Sequence, residues 1–425
     1  MGKFFFAILL MITMSACTKS PPPEPIKVGI LHSLTGTMAI SEKSVVDAAM
    51  MAVEEINQKG GLLGRKIEPV VVDGRSDEST FAKEAERLIR VEKVDVVFGC
   101  WTSASRKAVK PVFEKYNHLL FYPVQYEGLE HSLNIIYTGA APNQQIIPAV
   151  KWSFDNLGTK FFLVGSDYIF PRTANEIIRD HAAMLGAEIV GELYAILGSA
   201  DFKDIVKKIR QAKPDVILNT INGDSNIAFF NALYESGNFT SDIPVMSFSI
   251  TEHEIKFFGR QTSSHNGKMQ DSVPPQMIGN YASWNYFQSV RTDENDAFVR
   301  KFKEKYGADR VLGDPMEAAY FGVYLWAQAV EAAGSSEVGE VRIALKRQSF
   351  RAPEGLVHIE AENNHTWKTV RIGKIRADGQ FDIVWETKKP VYPSPYPPGR
   401  SSVEWDMFSQ RLYKSWGGKW ANPGR

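Results

Sequence analysis

The chain has 425 residues, and its 49 lysines and arginines are matched by 49 aspartates and glutamates. At about 150 residues per domain this length suggests two or three domains, each able to bury a core. Zero formal charge without a run of five like charges excludes a broad polyanion-binding surface, so nucleic acid is not an expected partner. Two cysteines, Cys17 and Cys100, are too few for a disulfide scaffold or a cysteine-based zinc site.

Residues Met1 to Ala16 read as an export signal. Lys3 precedes an apolar run of 11 residues, Phe4 to Met14, which is too short to span a bilayer; the small residues Ser15 and Ala16 follow. Cys17, placed directly after them, resembles the bacterial lipobox, which implies a lipid on that cysteine. A plain secretory signal fits the same residues. Thr18 to Pro25, with three consecutive prolines, reads as an extended tether.

From Ile26 the pattern alternates. Ile26–Leu31 reads as a strand, Ser41–Asn57 as a helix with an apolar stripe, and Ile67–Val72 as a second strand. A helix over Thr80–Arg90, a strand over Val94–Phe98, a helix over Ser105–Tyr116 and a strand over His118–Tyr122 follow. A second series runs from Ala149 to Met246, with strands at Phe161–Gly165, Glu188–Leu193, Val216–Asn219 and Ile243–Met246 between helices. Short apolar runs alternating with amphipathic helices indicate parallel sheets covered on both faces. Two such series predict an α/β protein of two lobes, with a cleft beyond the carboxyl ends of the strands. His253–Gln276 reads as a polar surface loop. Helices are expected at Glu294–Tyr306, Met316–Ala333 and Val338–Lys346, and strands at Val370–Ile375 and Phe381–Trp385. The tail 386–425, rich in proline from Pro390 to Pro398, reads as an extended strap.

Catalytic signatures are missing from the sequence. There is no dinucleotide or phosphate-binding glycine loop, no nucleophile elbow and no metal-ligating histidine pair. Cys100 beside Trp101 reads as a small buried residue at a strand end. No enzyme activity, cofactor or metal is expected.

Four strand-end segments, FGCWTSASRKAV (98–109), LLFYPVQYEG (119–128), YTGAAPNQQ (137–145) and GSDYIFPR (165–172), carry a resemblance. With NTINGDSN (219–226), DPMEAAYFGVYLW (314–326) and ENNH (362–365), they resemble the substrate-binding proteins of bacterial urea ABC transporters, in the amide- and branched-chain amino-acid-binding group. The resemblance implies a type I periplasmic-binding fold of two Rossmann-like lobes joined by crossover strands. It implies lobes at 26–141 with 284–350 and at 142–283 with 351–385, an exported protein, and ABC permease subunits as partners.

Urea is planar and neutral, so its pocket needs donors for one oxygen, acceptors for four N–H groups, and flat walls. The resemblance places Trp101, Thr102 and Ser103 at the site, with Tyr122, Gln125 and Tyr126 in the next loop and Tyr168 facing them. Asp224, Glu252 and Glu317 complete the candidate set as carboxylates near the cleft edges. Several have an ordinary structural reading beside this one: Ser103 and Asp224 can cap helices, Trp101 can be core, and Glu317 suits a helix first turn. A receptor for short-chain amides or a small amino acid fits the same residues, as does an amide-sensing regulator of the same fold.

Overall fold

A computed structural model describes residues 23–237, 243–262 and 273–424. The export signal, Cys17 and most of the tether lie outside the described residues. So does the middle of the expected polar loop.

The first lobe is built on five parallel strands: β1 (Ile26–His32), β2 (Ile67–Asp73), β3 (Val96–Gly99), β4 (Leu120–Tyr122) and β5 (Ile135–Tyr137), ordered β2-β1-β3-β4-β5. β3 to β5 are buried at every position, which is why they read as continuous apolar runs and not as alternating ones. The second lobe holds β6 (Lys160–Ser166), β7 (Glu188–Ala195), β8 (Val216–Thr220), β9 (Val245–Ser247) and β10 (Tyr281–Trp284) in a seven-stranded sheet.

After β10 the chain returns to the first lobe. There the helices Asp293–Tyr306, Asp314–Ala333 and Val338–Leu345 add Phe298, Trp326 and Leu345 to its core. A small antiparallel sheet follows, β11 (Ser349–Ala352), β12 (Gly355–Ile359) and β13 (Thr366–Trp367). Its Ala352, Val357 and Ile359 join the first core, so a boundary drawn at 350 divides this sheet between lobes. The last strands, β14 (Arg371–Ile375) and β15 (Phe381–Glu386), pair antiparallel on the edge of the second sheet.

The chain therefore crosses between lobes three times, after β5, after β10 and after β13. One side chain ties these connections: Asn285 Nδ2 donates to Gln144 O at 3.1 Å and to Thr369 O at 3.0 Å.

Two segments differ from their sequence reading. The supposed polar loop begins with a helix, Glu252–Thr262, and the supposed extended tail contains another, Ser402–Ser415. Both open on a capping pattern that offsets the polar composition. Thr251 N donates to Glu254 Oε2 at 3.0 Å and His253 N to Thr251 Oγ1 at 3.2 Å. Ser401 and Glu404 cap each other's backbone N–H groups reciprocally. Between β15 and that last helix the tail is extended, pairing Val391 N with Lys368 O at 2.8 Å and Leu129 N with Pro395 O at 2.8 Å. Gly128 lies at φ 72°, and a Cβ there would sit 2.0 Å from Pro395 O, so only glycine lets the strap pass.

Candidate functional site

A cavity of about 150 Å3 opens between the lobes at the carboxyl ends of the strands. From the first lobe Ser33, Glu42, Thr102 and Ser105 line it; Leu197 comes from the second lobe and Asn422 from the C-terminal segment. Each first-lobe group is held by its neighbours. Glu42, in the first turn of the helix Ala39–Gln58, accepts from Ser33 N at 2.7 Å and is 3.0 Å from His32 Nδ1. Thr102 caps the helix Ser103–Lys115, accepting from Ser105 N at 3.0 Å, and Ser105 Oγ donates to Thr102 O at 2.8 Å. The cavity thus sees hydroxyls, a carboxylate and the positive end of a helix.

Behind this rim lies a buried charge network. The fully buried Arg106 donates from Nη2 to Glu127 Oε1 at 2.8 Å, from Nε to Glu130 Oε1 at 3.0 Å and from Nη1 to Ser103 Oγ at 2.9 Å. Its guanidinium also lies 4.3 Å from the Tyr126 ring centroid and 5.0 Å from that of Tyr122. Burial opposes ionisation of Glu130, but Arg106 and then Lys107 hold its carboxyl well below the usual range.

Of the expected site residues, Thr102 lines the cavity. Trp101, Ser103, Tyr122 and Tyr126 gather behind it around Arg106: Ser103 Oγ bonds Glu127, the Tyr122 hydroxyl donates to Trp101 O, and Tyr126 meets His365. Tyr168, buried in the second lobe, faces this group, and its hydroxyl is pushed up by burial and then by Tyr122 and Glu127. Gln125 spans the lobes, donating from Nε2 to Phe248 O at 2.9 Å. Asp224 sits at an outer edge of the cleft, where Thr37 donates to it from the opposite lobe; its side chain does not cap the following helix.

Glu252 and Glu317 are not brought to this cavity. Both belong to an acidic cluster at the crossovers, because the helices that carry them start beside Gln288 and Glu354. Gln288 N donates to Glu252 Oε1 at 2.7 Å and Glu354 N to Glu317 Oε1 at 3.1 Å. Asp314 accepts from Asn285 N at 3.0 Å and Tyr286 N at 2.8 Å, and the buried Lys368 pairs with Glu354 at 2.8 Å.

Burial, followed by the charges of Glu254 and Asp314, pushes the Glu252 carboxyl up to about 8. A carboxyl whose folded value is raised costs stability as pH climbs from the unfolded value, about 4.3, to about 8. Glu252→Gln should therefore be close to neutral at pH 4 and stabilising by a few kcal/mol at pH 9, each unit of displacement being about 1.4 kcal/mol. Guanidinium unfolding at the two pH values reads this difference; equal effects at both would show that Glu252 is not the titrating group.

Sequence reasoning passed over Ser33, Glu42, Arg106, Lys368 and Asn422. A lone carboxylate and serines in a helix first turn are the trace that Glu42 leaves. Cys100 is buried, and burial pushes its thiol up, the reverse of an activated nucleophile. Among the described residues no cluster could hold a metal ion, and no helix is long and apolar enough to cross a membrane.

The model of the periplasmic binding protein domain family matches residues 26–402, and the chain belongs to that family. Its architecture is the type I periplasmic-binding fold, and it is a solute-binding protein, not an enzyme. Leu/Ile/Val-binding protein homolog 8 of Brucella melitensis is 21% identical over 413 residues, covering 91% of this chain and 96% of that one. A solute-binding protein of an ABC transporter from Rhodopseudomonas palustris HaA2, solved with p-hydroxybenzoic acid, superimposes with a TM-score of 0.76 at 22% identity, covering 89% of this chain and 100% of that one. A limonene hydroxylase of Geobacillus stearothermophilus is 36% identical over 117 residues, 28% of this chain; the chain spans only 21% of that protein's length.

Proposed function

We propose that this protein captures a small neutral solute of the urea or short-amide class and delivers it to an ABC permease. The observation that carries the reading is the charge of the cavity wall. Glu42, Asp77 and Glu78 line it against one cation, Lys419. The nearby Arg106 is committed to Glu127, Glu130 and Ser103. An anionic solute, such as the hydroxybenzoate of the Rhodopseudomonas relative, meets a repelling wall there. An amino acid requires a dedicated partner for its carboxylate as well as for its ammonium. A neutral amide finds acceptors for its N–H groups, and its carbonyl oxygen can accept from the helix end and from the Thr102 hydroxyl once this turns from Ser105 Oγ, 3.0 Å away. Volume agrees, since a cavity of about 150 Å3 holds a molecule of benzene size. Solute binding would bring the lobes together about the crossovers, and the closed form would dock on the permease. On this reading the protein is exported, and a lipid on Cys17 anchors it.

Calorimetric titration of the chain begun after Cys17 tests the proposal, with urea, acetamide, 4-hydroxybenzoate and leucine in parallel. One-to-one binding of urea or acetamide is expected, with silence from the other two. Thr102→Val should weaken it roughly 5- to 150-fold, because an unmade buried hydrogen bond costs about 1–3 kcal/mol, whereas Thr102→Ser keeps most of it. Heat from hydroxybenzoate or leucine alone would keep the fold and overturn the solute class.

A further inference from the structure

We propose that residues 419–423 are a lid belonging to the solute site, carried by the second lobe and closing onto the first. The inference rests on the reading that the cavity above takes the solute.

The anchor is the helix Ser402–Ser415. Its Trp405 is fully buried in the second-lobe core with Ile146 and Ile177, and Arg400, just before the helix, donates to Glu176 at 2.6 Å and Asp180 at 2.5 Å. From this base the chain runs to the mouth of the cavity and docks as a short antiparallel bridge, Tyr168 against Ala421. Ile169 N donates to Trp420 O at 2.9 Å, Asn422 N to Asp167 O at 2.9 Å and Asn422 Nδ2 to Asp167 Oδ2 at 2.6 Å. These three bonds all go to the second lobe.

The first lobe is held differently. It is met through Trp420 N donating to Glu78 Oε2 at 3.1 Å and through Lys107 Nζ, 5.1 Å from the Trp420 ring centroid. A hydrogen bond and a cation–π contact can break when the lobes part, while the second-lobe pairing holds. Between these two attachments Lys419, Ala421, Asn422 and Pro423 form a wall of the cavity facing Ser33 and Thr102. The Asn422 side chain is held by Asp167, so the wall has a fixed shape on the side the solute meets. The family match ends at residue 402, so the anchoring helix and the lid are an addition to the matched span.

Hydrogen–deuterium exchange tests the lid without reference to any solute. The chain begun after Cys17 is compared with the same chain ended after Gly418, and with Trp420→Ala, which loses the Lys107 contact but keeps the backbone docking. The amides of 33–38 and 102–106 should exchange at least tenfold faster in the shortened chain and by a smaller factor in Trp420→Ala, with β1 and β6 unchanged. Unchanged rim exchange overturns the lid, as does acceleration spread evenly over both lobes in both variants. Urea titration of the intact and shortened chains then separates the two proposals. Binding weakened at least tenfold by shortening supports both, and equal affinity overturns the lid's place in the site. If the intact chain ignores both urea and acetamide, the solute class falls while the exchange result still decides the lid.

Discussion

Arg106→Ala should destabilise the protein by about 3 kcal/mol at pH 7, because it leaves two buried carboxylates sharing the single ammonium of Lys107, 3.0 Å from Glu130 and 3.8 Å from Glu127. Glu127 and Glu130 are both buried, and Arg106 is fully buried beside them. Lysine should rescue little. The guanidinium serves Glu130 through Nε, Ser103 through Nη1 and Glu127 through Nη2, a three-way fork that one ammonium cannot reproduce. The defect should shrink in acid. Glu130 has a depressed carboxyl in the folded protein, so its contribution is present above the unfolded value, about 4.3, and is lost as pH falls through the folded one. Chemical unfolding at pH 7 and at about pH 2.5 reads both effects. A loss below 1 kcal/mol at pH 7 would mean that water already reaches the carboxylates.

The second large effect is expected at the crossovers. Lys368 is the cation among Glu354, Asp314 and Glu317, all buried, and its ammonium also donates to Thr138 O at 3.0 Å and lies 4.8 Å from the Phe321 ring centroid. Lys368→Met keeps the bulk of the side chain and removes the charge, so a loss of about 3–5 kcal/mol at pH 8 is expected. Its pH dependence has a different origin from that of the Arg106 site. Burial raises the Asp314 and Glu317 carboxyls, Glu354 adding to both while Lys368 opposes it. Groups with raised folded values contribute most at low pH, and that contribution is lost as pH rises through the folded value. Without Lys368 they rise further and take up protons, so the variant should approach the parent near pH 5. A gap that does not narrow between pH 8 and pH 5 would show that packing against Phe321, and not charge, is what Lys368 supplies.

How much of this was legible depends on whether a signal is local. The strands β1, β3, β6 and β8 announce themselves as short apolar runs between amphipathic helices, and the two-lobed α/β reading follows from that rhythm. β10, in contrast, is a four-residue strand whose partners, β9 and β14, lie far along the chain. The helices Glu252–Thr262 and Ser402–Ser415 were legible in principle. Thr251 with Glu254, and Ser401 with Glu404, have the spacing of a capping box, but polar and proline-rich surroundings outweighed it. At the site, the strand-end segments led to Thr102 and to the aromatic group around Arg106. Glu252 and Glu317 lie at the crossovers and not on this cavity, a placement the sequence does not show because a carboxylate in a helix first turn looks alike whether the helix points at a cleft or at a crossover. The Gly128 that closes the segment FYPVQYEG had no explanation until the strap with Pro395 lay against it. The lid could not be read at all, since its relation to Asp167 and Glu78 depends on folding the last residues onto both lobes.

Asn285 gives the molecule a mechanical property. With one carboxamide bonded to the first crossover at Gln144 O and to the third at Thr369 O, and itself part of the second, no connection can bend independently of the other two. Three separate linkers would let the lobes slide past one another; three linkers tied at one point hinge together there. A side chain that lost this carboxamide would free the three linkers from one another, and the lobes would keep their cores while losing their common pivot.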